Sequence, residues 1–224
     1  MTGRGRGPDG AARARILVEA SRLFAVRGFH GTSTRDIAAA VGIRQPTLYS
    51  HFPSKHAILA ALLDADLRPA LSRVRTALDL EATPAARLHA LLVADVSAIL
   101  SLPYDVRGFY NDEVLDLLEL DEQSRLREEL HTLTARLVGL GIDSGEFLDE
   151  DPAFVRGAIT GLTLQAVSER GPEPAANPAP TALRIADFVV RALLADRRHL
   201  PRIQKASDTL VGTVASAANP GEPE

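Results

Sequence analysis

Apolar positions recur along this chain at helical spacing, and no stretch alternates with the two-residue period of a strand. Residues 13–27 carry Ile16, Ala20, Leu23 and Phe24 on one face, and Gly28 ends the run. Ser33 suits an N-cap, with Asp36 three residues on as a capping box requires, and Ile37, Ala38 and Val41 form the inner face. Gly42 then supplies a left-handed stop. Pro46 suits the first turn of a further short helix, with Leu48 and Phe52 inward. Gln45, Thr47, Tyr49, Ser50 and His51 are left outward. A short polar helix held by an apolar turn has the layout of a DNA recognition helix.

Ser54 caps a fourth helix with Ile58, Leu59, Leu62, Leu63 and Leu67 inward. Pro69 interrupts a pattern that resumes at Leu71, Val74 and Leu78, which predicts a kink. Thr83 and Pro84 open a helix to Leu102, with Leu88, Leu91, Leu92, Val96 and Ile99 inward. Asp95 falls on that face. It pairs with an arginine, lines a polar spot in a cavity, or sits at a solvent rim. The segment Pro103–Asn111 concentrates aromatics, and Tyr104, Arg107, Phe109 and Tyr110 either close one end of a pocket or fill core under a loop.

A short helix is expected over 112–119. A longer one over 121–139 carries a leucine stripe flanked by His131 and Thr134, and is ended by Gly139 and Gly141. Asp151 and Pro152 open the next helix, to about Arg170, in which Gly157 and Gly161 lie four apart beside Leu162 and permit close approach of another helix. Residues 171–180, with four prolines, form a loop. Thr181 caps a last helix to His199 with Phe188, Val189 and Ala192. Both of these last helices are apolar on more than one side. The order of residues 202–224 is left open, with the end loose.

At residues 13–63 the chain resembles the tetracycline-repressor (TetR) family of transcriptional regulators. The matching pieces are Gly28-Phe29, Thr34-Arg35-Asp36-Ile37-Ala38, Val41-Gly42-Ile43, Pro46-Thr47-Leu48-Tyr49-x-His51-Phe52 with any residue at x, and Pro53-Ser54-Lys55, in order and without gaps. The resemblance implies an all-α fold. A three-helix helix-turn-helix DNA-binding domain is followed by a helical domain that binds a ligand and dimerises. The expected division is a disordered basic arm over 1–12, the DNA-binding domain over 13–60, the effector and dimerisation domain over 61–200, and a tail over 201–224. It also implies that the last two long helices pair with their mates in a second subunit, through Gly157, Gly161, Leu162, Phe188, Val189 and Ala192.

Net charge is −4, which by itself argues against a nucleic-acid partner, yet residues 1–56 carry +6 with His neutral, leaving −10 for the rest. A basic end on an acidic body suits contact with phosphate at one end only. Arg35 suits guanine O6 and N7, Gln45 an adenine edge, and Pro46 with Thr47 a thymine methyl. Thr34, Tyr49, Ser50, His51 and Lys55 suit phosphates, and Ser33 and Arg44 complete the candidate face. Arg35, Gln45, Pro46, Thr47, Tyr49, His51 and Lys55 stand where the family's founding member has the same residue types at its DNA contacts. Ser50 and Arg44 depart from it, so the operator need not be the same.

The chain of 224 residues has no cysteine, and no membrane span or signal peptide is expected, which suits the cytoplasm. No nucleotide loop, nucleophile elbow or zinc motif occurs. No cofactor and no metal are expected. The partners expected are an operator duplex, a small, mostly apolar effector and a second copy of the chain. The effector would be touched by Asp95, Tyr104, Arg107, Phe109, Tyr110, His131 and Thr134. The rival reading is an all-helical carrier or enzyme that has lost DNA binding.

Overall fold

The structure, a computed structural model, describes residues 8–108 and 120–217. Phe109, Tyr110, the expected helix over 112–119, most of the basic arm and the end of the tail lie outside the described residues. Among the described residues the regular structure is helical, apart from one antiparallel bridge between Phe147 and Leu194. The helices are α1 (Pro8–Arg27), α2 (Thr34–Val41), α3 (Gln45–His51), α4 (Lys55–Asp79), α5 (Pro84–Ser101), α6 (Asp121–Asp143), α7 (Pro152–Arg170), α8 (Ala179–Leu193), α9 (Leu200–Asp208) and α10 (Val211–Ser216). They form two compact units, one of residues 1–65, 103–124 and 171–173, the other of the remainder. Both α4 and α6 therefore run from one unit into the other.

In the first unit α1 begins at Pro8 rather than at residue 13, so the end of the expected arm is helical. Proline loses nothing at a helix start. Ile16, Leu17, Ala20 and Phe24 are buried, and Gly28 at φ 72° ends the helix. Segment 103–108, which the hydrophobic pattern assigns to the effector half, packs on α1. A 3-10 turn, Val106–Gly108, comes so close that a Cβ on Gly108 would lie 2.3 Å from the backbone of Phe24 and Ala25. The Asp105 N–H donates to the buried Ser21 Oγ at 3.0 Å.

In the second unit α5 is the centre, packed most extensively on α8 and covered by α9 and α10. It is long and apolar enough to cross a membrane, with mean hydropathy 1.3, but two thirds of it is buried as a core helix. His89 is fully buried on it, with Nδ1 2.8 Å from Ser207 Oγ and Nε2 3.0 Å from Asp187 Oδ1, which ties α5 to α8 and α9. The sequence left residues 202–216 open, and this packing orders them.

Three further helix ends differ from expectation, the first being the start of α8, which lies at Ala179 with Pro180 in its first turn rather than at a Thr181 cap. α6 runs through Gly139 and Gly141 to Asp143, because Gly141 makes room for a ring: a Cβ there would lie 2.1 Å from Phe147. Gly145 at φ 73° follows in the turn. α8 stops at Leu193 rather than His199, because Leu193 and Ala195 bond to Leu148 and Glu146. The Asp196 side chain then caps a separate 3-10 turn over Arg197–His199.

Candidate nucleic-acid interface

The helix-turn-helix is built from local signals. Ser33 and Asp36 form the reciprocal capping box, with the Asp36 N–H donating to Ser33 Oγ at 3.2 Å and the Ser33 N–H to Asp36 Oδ2 at 2.9 Å. The Ser33 hydroxyl donates to the same carboxylate, and together with the Ser33 N–H it holds the Asp36 carboxyl below its usual range. Gly42 takes φ 75° and caps α2, and the Arg15 guanidinium donates to the Val41 carbonyl at the same helix end. A cation there complements the helix dipole. Leu48 is fully buried behind α3, and Arg13 lies 4.7 Å from the ring of Phe52 at its C-cap.

The outer face is polar and prearranged. Gln45 Nε2 donates to Thr34 Oγ1 at 2.9 Å, and the Tyr49 hydroxyl lies 3.2 Å from that same oxygen. This network joins α2 to α3 and sets the tilt of the Gln45 amide. Arg35, Arg44, Pro46, Thr47, Tyr49 and Ser50 are exposed, with the Ser50 hydroxyl donating to the Thr47 carbonyl. His51 is half-buried, and Ser33 is committed to its cap.

Lys55 departs from the others. Its ammonium donates to the carbonyls of Phe29 at 2.6 Å and Thr32 at 2.7 Å, and lies 4.2 Å from the centroid of the Phe29 ring. Burial pushes its pKa down. The sequence offered no signal for this clamp, since both acceptors are backbone atoms more than twenty residues away.

The expected effector residues are not free anchors. Asp95 receives Arg73 Nε at 2.8 Å, and that guanidinium is buried with 3% exposure. Arg107 grips Asp105 through two nitrogens, and this bond raises the Arg107 pKa. Tyr104 and Arg107 belong to the first unit, while Asp95, His131 and Thr134 belong to the second. The Thr134 hydroxyl donates to the Leu130 carbonyl. His131 is half-buried, and burial with the nearby Arg156 and Arg127 pushes its pKa down to about 4. A cleft of about 530 Å³ opens elsewhere in the second unit, between Glu81–Thr83, Ser144–Glu146 and the Leu194–Leu210 stretch, and none of these residues lines it.

Of the expected interface residues, Gly157, Gly161, Phe188 and Ala192 are exposed and Leu162 is half-buried. Val189, one position round the helix from Phe188, is only 5% exposed within the chain.

Comparison with known proteins agrees with this geometry. Residues 16–62 match the family model described as bacterial regulatory proteins, tetR family. The HTH-type transcriptional repressor KstR2 of Mycobacterium tuberculosis (strain ATCC 25618 / H37Rv) is 38% identical over 154 residues, covering 66% of this chain and 76% of the relative. KstR2 of Rhodococcus jostii (strain RHA1) is 31% identical over 148 residues, covering 63% and 72%. Among solved structures, Mycobacterium smegmatis AmtR superposes with a TM-score of 0.75 at 26% identity, covering 94% of this chain and 97% of that one. The ketosteroid transcriptional regulator KstR2 of M. tuberculosis gives 0.72 at 25% identity, covering 82% and 95%. The chain belongs to the tetR family of bacterial regulatory proteins and is a helix-turn-helix DNA-binding transcriptional regulator, not an enzyme.

Proposed function

We propose that the chain works in the cytoplasm as a homodimeric repressor that binds a palindromic operator and is released by a small, mostly apolar effector. The observation that carries the reading is the exposed face of α2 and α3, where Arg35 stands exposed beside the prearranged Gln45, Thr34 and Tyr49 network. Two such faces must lie about 34–36 Å apart to enter successive major grooves, which needs a second copy. Phe154 and Phe188 support one, being 68% and 62% exposed on α7 and α8. Large apolar rings left in water on neighbouring helices favour a protein partner.

The curated KstR2 relatives are named repressors, which favours repression. A structure of one is named a ketosteroid regulator, which agrees with an apolar effector. The effector acts only if it binds one spacing of the two reading heads better than another. Pro69 lies inside α4 and has no N–H to offer the carbonyl of Ala65, the last residue of α4 that belongs to the first unit. That missing bond supports a hinge in α4. Asp95 and Arg107 are poor effector anchors, since an effector must first displace Arg73 or Asp105.

Activation is a second reading, because the HTH-type transcriptional activator FasR of Mycolicibacterium smegmatis is 35% identical over 113 residues, half of its length. The test is a gel shift with the chain's own upstream DNA, followed by a promoter-reporter assay of the same fragment. Retarded DNA and reporter output that rises when the gene is deleted support repression. Output that falls supports activation, and no retardation of upstream or selected DNA overturns the reading.

A further inference from the structure

The cleft of the second unit, about 530 Å³, has the volume of a small-molecule site, which runs to about 300–1,000 Å³. The turn between α4 and α5, the turn after α6 and the segment after α8 wall it on three sides. On the fourth, Arg202, Ile203 and Ala206, at helical spacing, turn one face of α9 towards it. Leu194 and Ile203 in its lining are buried and apolar. Most of its polar groups are already engaged. Glu146 Oε2 accepts from the Ala85 N–H at 2.9 Å, in the first turn of α5. Asp196 accepts from the side chain and N–H of Arg198, and these bonds hold its carboxyl down to about 2. The Ser144 and Thr209 hydroxyls donate to the Gly141 and Ala206 carbonyls. Two full charges of opposite sign are left over, the Glu81 carboxylate and the Arg202 guanidinium. Both are exposed, and among the described residues neither has a hydrogen-bond or ion-pair partner, each other included.

We propose that this cleft binds a small zwitterion, whose ammonium meets Glu81, whose carboxylate meets Arg202 and whose apolar body lies against Leu194 and Ile203. A simple anion answers Arg202 and is repelled by Glu81, and a simple cation meets the reverse. One exposed ion pair contributes little by itself. A molecule that joins both charges through an apolar chain engages both at once and takes apolar surface out of water. The guanidinium fork suits a carboxylate in particular, since it offers two parallel N–H donors. Free amino acids have this chemistry, with the two charges side by side or at opposite ends of the chain. The site belongs wholly to the second unit and holds no residue of the reading face, so it goes beyond the operator and the mostly apolar effector of the proposed function.

Calorimetric titration of the full chain without DNA tests the site. L-Leucine and ε-aminocaproate are the zwitterionic probes, and caproate and hexylamine carry one charge each. The expected result is saturable binding of one or both zwitterions, with caproate and hexylamine weaker by about tenfold or more. A response to ε-aminocaproate supports charges at the two ends of the body, and a response to leucine supports charges side by side. Arg202→Gln should reduce the zwitterion to the affinity that hexylamine has for the wild type, and Glu81→Gln to that of caproate. Ala206→Phe, which sets a ring into the cleft from α9, should abolish binding. Thermal melts establish which variants are folded at the assay temperature, and the folded ones decide. No saturable binding of either zwitterion overturns the proposal. Caproate or hexylamine binding as tightly as a zwitterion overturns it too, and so does zwitterion binding that survives these substitutions unchanged. None of these readouts uses DNA, so their outcome is separate from that of the operator test.

Discussion

Arg35 and Lys55 are both cations of the matched segment, and their surroundings differ: the Lys55 ammonium is bonded to the Phe29 and Thr32 carbonyls. Arg35 is exposed near the start of α2, with its donors unengaged. Arg35→Ala should weaken operator binding by roughly 1–3 kcal/mol and relax the preference at one base pair per half-site. Titration against single-base operator variants checks this; an equal loss on every duplex would make Arg35 a phosphate contact. His131 gives a prediction in pH. Its pKa is lowered from 6.5 to about 4 in the folded chain by burial and by Arg156 and Arg127. Below pH 6.5 the unfolded chain takes up a proton that the folded chain refuses, so stability falls as pH drops from 6.5 towards 4 and this contribution is flat below. The loss should be on the order of 1 kcal/mol, because the ring is only half-buried and solvent screens it. His131→Leu should remove that part of the slope in urea midpoints measured across the range, and an unaltered slope would refute the assignment.

Among the elements, α9 and α10 owe their order to α5. Ser207, His89 and Asp187 make a serine–histidine–aspartate chain, and Gln204 adds a further donor to Asp187 at 2.7 Å. The order of atoms resembles a hydrolase triad, but Ser207 is fully buried, so its hydroxyl meets no substrate. The network is a structural tie. Asp187 can only accept, so Nε2 carries a proton and Nδ1 is free to accept from the serine. His89→Ala should destabilise the chain by about 2–4 kcal/mol, through lost packing and two groups left without their partner. Urea denaturation reads that loss, and hydrogen exchange should show α9 opening first. A midpoint equal to wild type would sink the idea. The 3-10 turn at Val106–Gly108 is as constrained, since Gly108 has backbone where a side chain would go.

For the whole molecule, the prediction is a dimer that cannot bind its operator as halves. Gly157 and Gly161 have open space where a Cβ would lie, and Phe188 stands out from α8. A Cβ at Gly157 therefore meets nothing within 4 Å in its own chain. Gly157→Leu should leave the fold stable, separate the subunits, and weaken operator binding by well over tenfold, because each half-site is then held alone. Sedimentation at micromolar concentration checks it, and a wild type that sediments as a monomer removes the dimer from the reading.

The division between what the sequence by itself determined and what only the tertiary structure decided follows the range of the forces. Ser33 with Asp36, Gly42 and Pro46 act within a few residues of themselves, through caps, a left-handed φ and a preset helix start. The helix-turn-helix, its outward polar face and the all-helical class were therefore legible without coordinates. The expected ends at Gly139, Gly141 and His199 failed because a distant group outweighed the local preference. Phe147 fills the space over Gly141, and the Phe147–Leu194 bridge cuts α8 short. The same holds for charged ends of long side chains. Sequence shows that Lys55, Asp95 and Arg107 carry charge, but their partners are the Phe29 and Thr32 carbonyls, Arg73 and a buried Asp105. A flexible cation or carboxylate takes whichever partner the packed chain leaves beside it, and only the tertiary structure decides which that is.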